Sequence, residues 1–235
     1  MDDLQKGFIA LVKKELNHLS LEPCDLIIFH CIRHQESLCA QSLWLNNAMS
    51  TVVSCINFVK RRGYNSRHFK ELLNDLDSEH HDLIYHCEVR WLSCGNMLMR
   101  FYELQDEVKQ FMEMKGNPVR ELNDSKWLCD LVFIVDTTKY LSELNVKLQG
   151  PTQLLSSLLS NVKSFEAKLR LWKVQLERSN KVHFPTLEGQ KSSMTLECAG
   201  ECVKLIEAFY ERFKDMKNKQ IKMNILNDVI QYRTN

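Results

Sequence analysis

Side chains that could bind a metal or act as a catalytic pair stand close together near residue 30. His30, Cys31 and His34 directly follow the bulky apolar run 26–29. A cysteine and a histidine three residues apart lie on adjacent faces of a turn, a spacing that occurs in zinc sites. A structural zinc site needs four ligands, however, and too few converge here to indicate one by themselves.

Three interpretations of this C-x-x-H step remain open. Packing is the simplest, because cysteine behaves as a small buried hydrophobe and a histidine beside a core strand needs only a hydrogen bond. A second is a zinc-stabilised module in which Cys24 or Cys39 joins Cys31 and His34, although neither thiol adds a second C-x-x-C or H-x-x-C step. The third places Cys31 and His34 at the edge of a former active site.

A basic run around residue 63 offers a different chemistry, contact with phosphate. A helix predicted over residues 35–62 ends at Gly63, so the run surrounds a turn. Cations are favoured at the carboxyl end of a helix because of the helix dipole. The basic run can therefore be explained as a solvated helix end that binds no ligand. Phosphate contact is the alternative. The cationic side chains concerned are Lys60, Arg61, Arg62, Arg67 and Lys70.

A guanidinium and a large aromatic face stand side by side at Arg90 and Trp91. They directly precede a predicted helix, and such a pair is suited to phosphate contact and base stacking. The simpler interpretation is an interior tryptophan with an arginine at the rim, because tryptophan is mostly buried in folded proteins.

Most of these residues are expected to lie on or beside helices. The chain contains only 7 glycines and 4 prolines, the residues that most often interrupt a helix, so long helices with few loops are predicted. Residues 26–29 predict one short strand buried on both faces, and residues 83–87 are predicted to be extended. Asp124 or Ser125 is suited to cap a helix. Apolar side chains at helical spacing predict amphipathic helices over residues 7–16, 35–62, 69–76, 97–111, 127–148, 152–178 and 198–217.

Residues 152–178 carry the most regular apolar pattern, with alternating steps of three and four over three heptads. Phenylalanine and tryptophan are bulky for a dimeric seam, so the pattern favours a helix buried in a bundle over a coiled coil. A loop is predicted over residues 183–193, and the chain beyond Lys217 is predicted to fray.

Composition restricts the classes of protein that fit. The 235 residues are 44% hydrophobic and 26% charged, which is enough to bury a core. Lysine and arginine total 31 against 30 aspartates and glutamates, so no long-range field attracts nucleic acid or an anionic membrane. Nine cysteines without a regular spacing, and no amino-terminal apolar segment, predict a reducing compartment. No apolar run approaches the ~20 residues that span a bilayer, so no membrane is expected as a partner.

Catalytic motifs are lacking in the sequence: there is no glycine-rich phosphate loop, G-x-S-x-G, H-E-x-x-H or paired C-x-x-C. Aspartate and glutamate are plentiful, but they fall mainly on the polar faces of predicted helices. Two-metal chemistry needs several carboxylates that meet around metals ~4 Å apart, usually at strand ends. The sequence therefore predicts no catalytic residues, no metal and no cofactor.

Four blocks of the chain together resemble the vertebrate domesticated transposases of the hAT superfamily. They are FHCIRHQESLCAQSL, YHCEVRWLSCGNMLMRFYEL, SKWLCDLVFIVDTTKYLSELNVKLQG and VKSFEAKLRLWKVQL. The resemblance implies a ribonuclease-H-like core interrupted by a helical insertion, with three acidic residues that bind two divalent ions for DNA cleavage. It also implies that Cys31 and His34 follow a core strand and that Arg90 and Trp91 meet DNA near the active site.

The chain departs from that family where the catalytic acids are expected. A T-D-G-A-P-like segment and a further acid would lie before residue 1, and the carboxyl-terminal NILNDVIQYRTN contains no recognisable counterpart of the final glutamate. Cys94 stands where a basic residue is expected. The family's amino-terminal DNA-binding modules and carboxyl-terminal dimerisation segment are also expected to be absent.

These observations predict a mainly α protein, a helical bundle attached to a truncated remnant of a ribonuclease-H-like core. The expected parts are the remnant over residues 1–34, the helical domain over 35–217 and a tail over 218–235. We expect a catalytically inactive interaction module with protein partners, weak DNA contact and, by resemblance, a nuclear location. The alternatives are the zinc-stabilised module and a subunit of an active transposase or nuclease.

Overall fold

The computed structural model describes residues 31–42, 46–85, 91–150, 154–189 and 194–234, together with isolated helical positions between residues 7 and 18. Over 46–47, 91–93 and 221–234 only the backbone is described. The chain divides into two compact units, residues 31–220 and residues 1–30 with 221–235. The first unit holds the helical bundle, and in the second the backbone over 221–234 is helical. The predicted domain boundaries at residues 34 and 217 stay a prediction.

The predicted mainly α fold is confirmed, and the described part of the chain contains no strand. The predicted strand 26–29 lies outside the described residues. The helices are α1 Ile32–Gln41, α2 Asn46–Lys60, α3 Gly63–Asp75, α4 Trp91–Glu103, α5 Gln105–Met114, a 3-10 turn Arg120–Asn123, α6 Ser125–Lys147, α7 Leu155–Glu177, α8 Pro185–Glu188 and α9 Thr195–Thr234. None of the described helices is both long enough and apolar enough to cross a membrane.

Helix α6 lies at the centre of the bundle, in contact with α1, α2, α4, α7 and α8. More than half of its 23 residues are buried, as expected of a helix that meets neighbours on every side. Its start is fixed by Asp124, whose Oδ1 accepts a hydrogen bond of 2.9 Å from the backbone N–H of Lys126. The sequence offered Asp124 or Ser125 for this role, and Asp124 fills it.

The region predicted as one helix over residues 35–62 contains two, α1 and α2. The prediction at Gly63 was also wrong, because this glycine begins α3 and Arg62, with φ −107° and ψ 118°, is the extended residue that separates the helices. Helix α3 thus starts six residues before the predicted residue 69. Of the predicted extended segment 83–87, the described residues 83–85 have no regular secondary structure.

A break at Leu104 divides the apolar stripe predicted from Met97 to Phe111 between α4 and α5. Leu104 has φ −106° and ψ 18° but is only 1% exposed, so the stripe stays in the core through the break. Helix α5 packs on α3, where the rings of Phe111 and Phe69 meet edge to face with centroids 5.2 Å apart. Because a break without glycine or proline leaves the apolar spacing intact, the sequence pattern did not reveal it.

The apolar face of α7 is buried in the bundle, as predicted. Val162, Phe165, Leu169, Trp172 and Leu176 are all buried. Trp172 packs against Tyr140 of α6 and Phe184 beside α8, with ring centroids 4.6 Å and 5.7 Å away. The stripe is therefore covered by the chain itself rather than by a second copy.

The carboxyl-terminal part differs from prediction in two places. The predicted loop 183–193 contains the short helix α8, and α9 continues to Thr234 instead of fraying after Lys217. Helix α8 depends on a distant residue: the carboxylate of Asp136 accepts hydrogen bonds of 3.0 Å from the backbone N–H groups of Thr186 and Leu187. Since this capping group lies on α6, the local sequence gave no sign of it.

Candidate nucleic-acid interface

The turn between α2 and α3 is held by side chains that satisfy the last carbonyl groups of α2. The amide of Asn65 donates a hydrogen bond of 3.0 Å to the backbone oxygen of Phe58. The hydroxyl of Tyr85 donates one of 2.8 Å to the backbone oxygen of Lys60. Such carbonyls have no partner within their own helix, so these bonds hold the backbone of the turn in place.

Two of the five predicted cationic residues are paired with one carboxylate. The Nζ atoms of Lys60 and Lys70 lie 2.7 Å and 3.2 Å from Oδ2 of Asp82. The side chain of Lys60 is only 11% exposed, and its ammonium also lies 5.0 Å from the ring centroid of Tyr85. Lys60 therefore stabilises the turn and is poorly placed for an external phosphate, while Lys70 remains half exposed.

Arg61, Arg62 and Arg67 are exposed and form no salt bridge with any residue whose side chain is described. Helix α2 contains no acidic residue, and the first turn of α3 has none either. The three guanidinium groups therefore produce a local positive potential although the whole chain carries a formal charge of only +1. Together with Lys70 they form what we call the basic turn.

An exposed aromatic ring lies within the basic turn. Tyr64 is 59% exposed, and its ring centroid lies 4.0 Å from that of His68 and 4.9 Å from Nζ of Lys115. The Nζ atom of Lys115 also lies 2.8 Å from Nδ1 of His68 and donates a hydrogen bond to it. Sequence reasoning missed Tyr64, although its place among basic residues was a usable signal, and could not anticipate Lys115, which is distant in sequence.

Only some of the other predicted site residues have a side chain that the structure describes. Cys31 and His34 are exposed, so the packing interpretation was wrong for both, while Cys39 is fully buried. Among the described residues no group of three or more His, Cys, Asp or Glu side chains could hold a metal ion. Cys24 and Arg90 lie outside the described residues, and only the backbone of Trp91, the first residue of α4, is described. The zinc interpretation and the Arg90–Trp91 pair stay predictions.

Three buried carboxylates lie on α1, α6 and α7, and each has a structural partner. Asp136 caps α8, and burial raises the pKa of its carboxyl. Glu166 accepts a hydrogen bond of 2.7 Å from Nζ of Lys217. Glu36 accepts one of 2.6 Å from the amide of Asn145, and burial raises the pKa of Glu36 to about 7. These carboxylates join helices to one another.

Comparison with known proteins places this bundle in a family. The model of the FAM200/GTF2IRD2 helical domain matches residues 30–177, a range that ends with α7. The protein named general transcription factor II-I repeat domain-containing protein 2 from Bos taurus is 37% identical over 219 residues, covering 92% of this chain and 23% of the relative. Its namesake from Mus musculus is 37% identical over 203 residues, covering 86% and 22%.

The chain thus spans less than a quarter of the length of these curated relatives. No solved structure matches it. The family model covers all helices from α1 to α7, including the basic turn, and the identity to the two relatives extends over most of the chain. This chain therefore belongs to the FAM200/GTF2IRD2 helical domain family.

Proposed function

We propose that the chain is a catalytically inactive interaction module derived from an hAT-type transposase, and that it binds protein partners and, weakly, DNA. In this proposal residues 1–34 are a remnant of a ribonuclease-H-like core and the helical domain supplies the binding surfaces. The similarity to general transcription factor II-I repeat domain-containing protein 2 supports a transcription-related role in the nucleus. The resemblance of the four sequence blocks to domesticated transposases supports the origin.

The observation that best supports this proposal is that the buried carboxylates are already engaged in hydrogen bonds within the bundle. Metal-dependent DNA cleavage requires carboxylates that converge on metals ~4 Å apart and are free to ligate them. Asp136 instead caps α8, Glu166 binds the ammonium of Lys217, and Glu36 binds the amide of Asn145. The acids of the bundle interior thus hold helices together.

The DNA contact is assigned to the three arginines of the basic turn. Exposed guanidinium groups bind phosphate oxygens in a planar, two-pronged geometry. The net charge of +1 supplies no wider attraction, so binding is expected to be weak at physiological salt and to depend on these few contacts.

A cleavage assay tests the inactivity of the chain. With Mg²⁺ or Mn²⁺ and hairpin DNA, we expect no cleavage, because the buried carboxylates already have partners. The assay includes Asp136→Asn, which changes a buried carboxylate but keeps an acceptor oxygen, and Asp75→Asn, which changes an exposed one at the end of α3. Metal-dependent cleavage that is lost in Asp136→Asn and kept in Asp75→Asn would show that the chain is an enzyme.

A further inference from the structure

We propose that Tyr64 is a stacking platform for an unpaired base, which makes single-stranded nucleic acid the preferred ligand of the basic turn. The inference rests on the proposed DNA contact and specifies its ligand. Single-strand sites typically combine cationic side chains that follow the backbone with aromatic rings that stack on bases. Tyr64 and the arginines beside it provide both.

The exposure of Tyr64 is not explained by a role in folding. Tyr85, the other exposed tyrosine near the basic turn, is 52% exposed, but it has a structural role. Its hydroxyl donates to the backbone oxygen of Lys60 at the end of α2, and its ring lies beside the ammonium of Lys60. The hydroxyl of Tyr64 donates to none of the described residues, and the residue as a whole is 59% exposed. A large ring surface is therefore left for a ligand in the midst of positive charge.

The ring is also held in place before any ligand arrives. His68 lies one helical turn further along α3 and contacts the ring at a tilt of 48°. Lys115 approaches it from the end of α5 and also lies 5.3 Å from the ring centroid of the buried Phe111. Because these contacts order the Tyr64 side chain in the free protein, stacking a base on it costs less conformational entropy.

Cationic side chains lie on both sides of this ring along the chain. Arg61 and Arg62 precede Tyr64 in the turn, and Arg67 follows it at the three-residue spacing that makes two side chains neighbours on a helix surface. A strand whose phosphates meet these guanidinium groups would bring its bases to Tyr64. In a duplex the bases are already stacked on one another, so only the phosphate contacts would remain.

Three oligonucleotides separate base stacking from phosphate contact. We would measure fluorescence anisotropy at low salt with oligodeoxythymidine of about 12 nucleotides, within the usual site sizes for single strands, an abasic strand of the same length and a duplex. The variants are Tyr64→Ala, Tyr64→Phe, which keeps the aromatic face, and Tyr64→Leu, which keeps an apolar contact for His68 and Lys115. Tyr210→Ala, 57% exposed on α9, is the matched control.

The wild-type chain is expected to bind oligodeoxythymidine more tightly than the abasic strand. Tyr64→Ala and Tyr64→Leu should weaken oligodeoxythymidine binding by about 5- to 150-fold, with duplex and abasic binding unchanged. Tyr64→Phe and Tyr210→Ala should bind like wild type. A lowered melting temperature would show that Tyr64→Ala has lost its fold. In that case the binding of Tyr64→Leu decides whether the ring is needed.

Equal wild-type binding to oligodeoxythymidine and to the abasic strand, with no effect of Tyr64→Leu, would overturn the stacking role while leaving the arginine contacts intact. Tighter binding of an acidic peptide than of any oligonucleotide would overturn it too, and would identify the basic turn as a protein-binding surface. If none of the three oligonucleotides binds at low salt, the DNA contact of the proposed function fails together with this inference.

Discussion

Replacing Trp172 with alanine is expected to lower the free energy of unfolding by about 3 to 5 kcal/mol, the usual cost of removing a large aromatic side chain from a core. Trp172 is 2% exposed. Its ring lies against Tyr140 of α6, Phe165 of α7 and Phe184 beside α8. The truncation would leave a cavity where these elements meet, and their neighbours can fill it only in part.

Leu171→Ala is the matched control, because Leu171 is the adjacent residue of α7 but is 49% exposed. It should change stability by less than about 1 kcal/mol. Urea denaturation followed by circular dichroism measures both variants. If the two substitutions cost the same, the aromatic cluster around Trp172 is not the core of this part of the bundle.

Stability should fall as the pH rises from about 5 to about 7, and Glu36 should account for much of the fall. Burial raises the pKa of Glu36 from 4.5 to about 7 in the folded chain. The side chain is 0% exposed, and its Oε1 has no hydrogen-bond partner among the described residues. The folded state thus binds a proton that the unfolded state releases, so the stabilisation is present below pH 4.5 and is lost as the pH passes 7.

Glu36→Gln should therefore gain stability relative to wild type as the pH rises, by an amount on the order of 3 kcal/mol between pH 5 and pH 8. The glutamine can still accept the hydrogen bond from Asn145 without carrying a charge. The measurement is urea denaturation at several pH values. Some pH dependence should persist in the variant, because burial also raises the pKa of Asp136.

Glu143→Gln, which changes an exposed carboxylate on the same central helix as Asn145, should follow the wild-type pH dependence. A Glu36→Gln variant whose stability runs parallel to wild type from pH 5 to pH 8 would contradict the assignment. It would show that Glu36 is ionised at little cost inside the folded chain.

The helical class and most core residues could be predicted because they depend on local spacing. The stripes of α4, α5 and α7 recur at three and four residues, and the helix period alone places them on one face. The cap at Asp124 is a local signal as well. The blocks of sequence also indicated a family, and the match over residues 30–177 shows membership of the FAM200/GTF2IRD2 helical domain family, while the hAT-type origin stays a proposal.

Other features depend on pairs of residues that are distant in sequence. Asp82 pairs with Lys60, Asp136 caps α8 and Lys115 contacts Tyr64. No local pattern shows that such residues meet, because the packing of whole helices brings them together. For this reason the sequence pattern did not distinguish the five basic residues. In the structure two lysines pair with Asp82, whereas the three arginines form no salt bridge with any side chain that is described.

The most direct test of the proposed DNA contact is the salt dependence of duplex binding. Replacement of Arg61, Arg62 and Arg67 by glutamine should weaken binding to all sequences alike and reduce the slope of log K against log salt by about one unit per lost contact. The matched control replaces three exposed cations of α7, Lys163, Lys168 and Arg170, by glutamine, with the same change in net charge. We predict a flatter slope only for the basic-turn variant; equal slopes for the two variants would contradict a DNA contact at the basic turn.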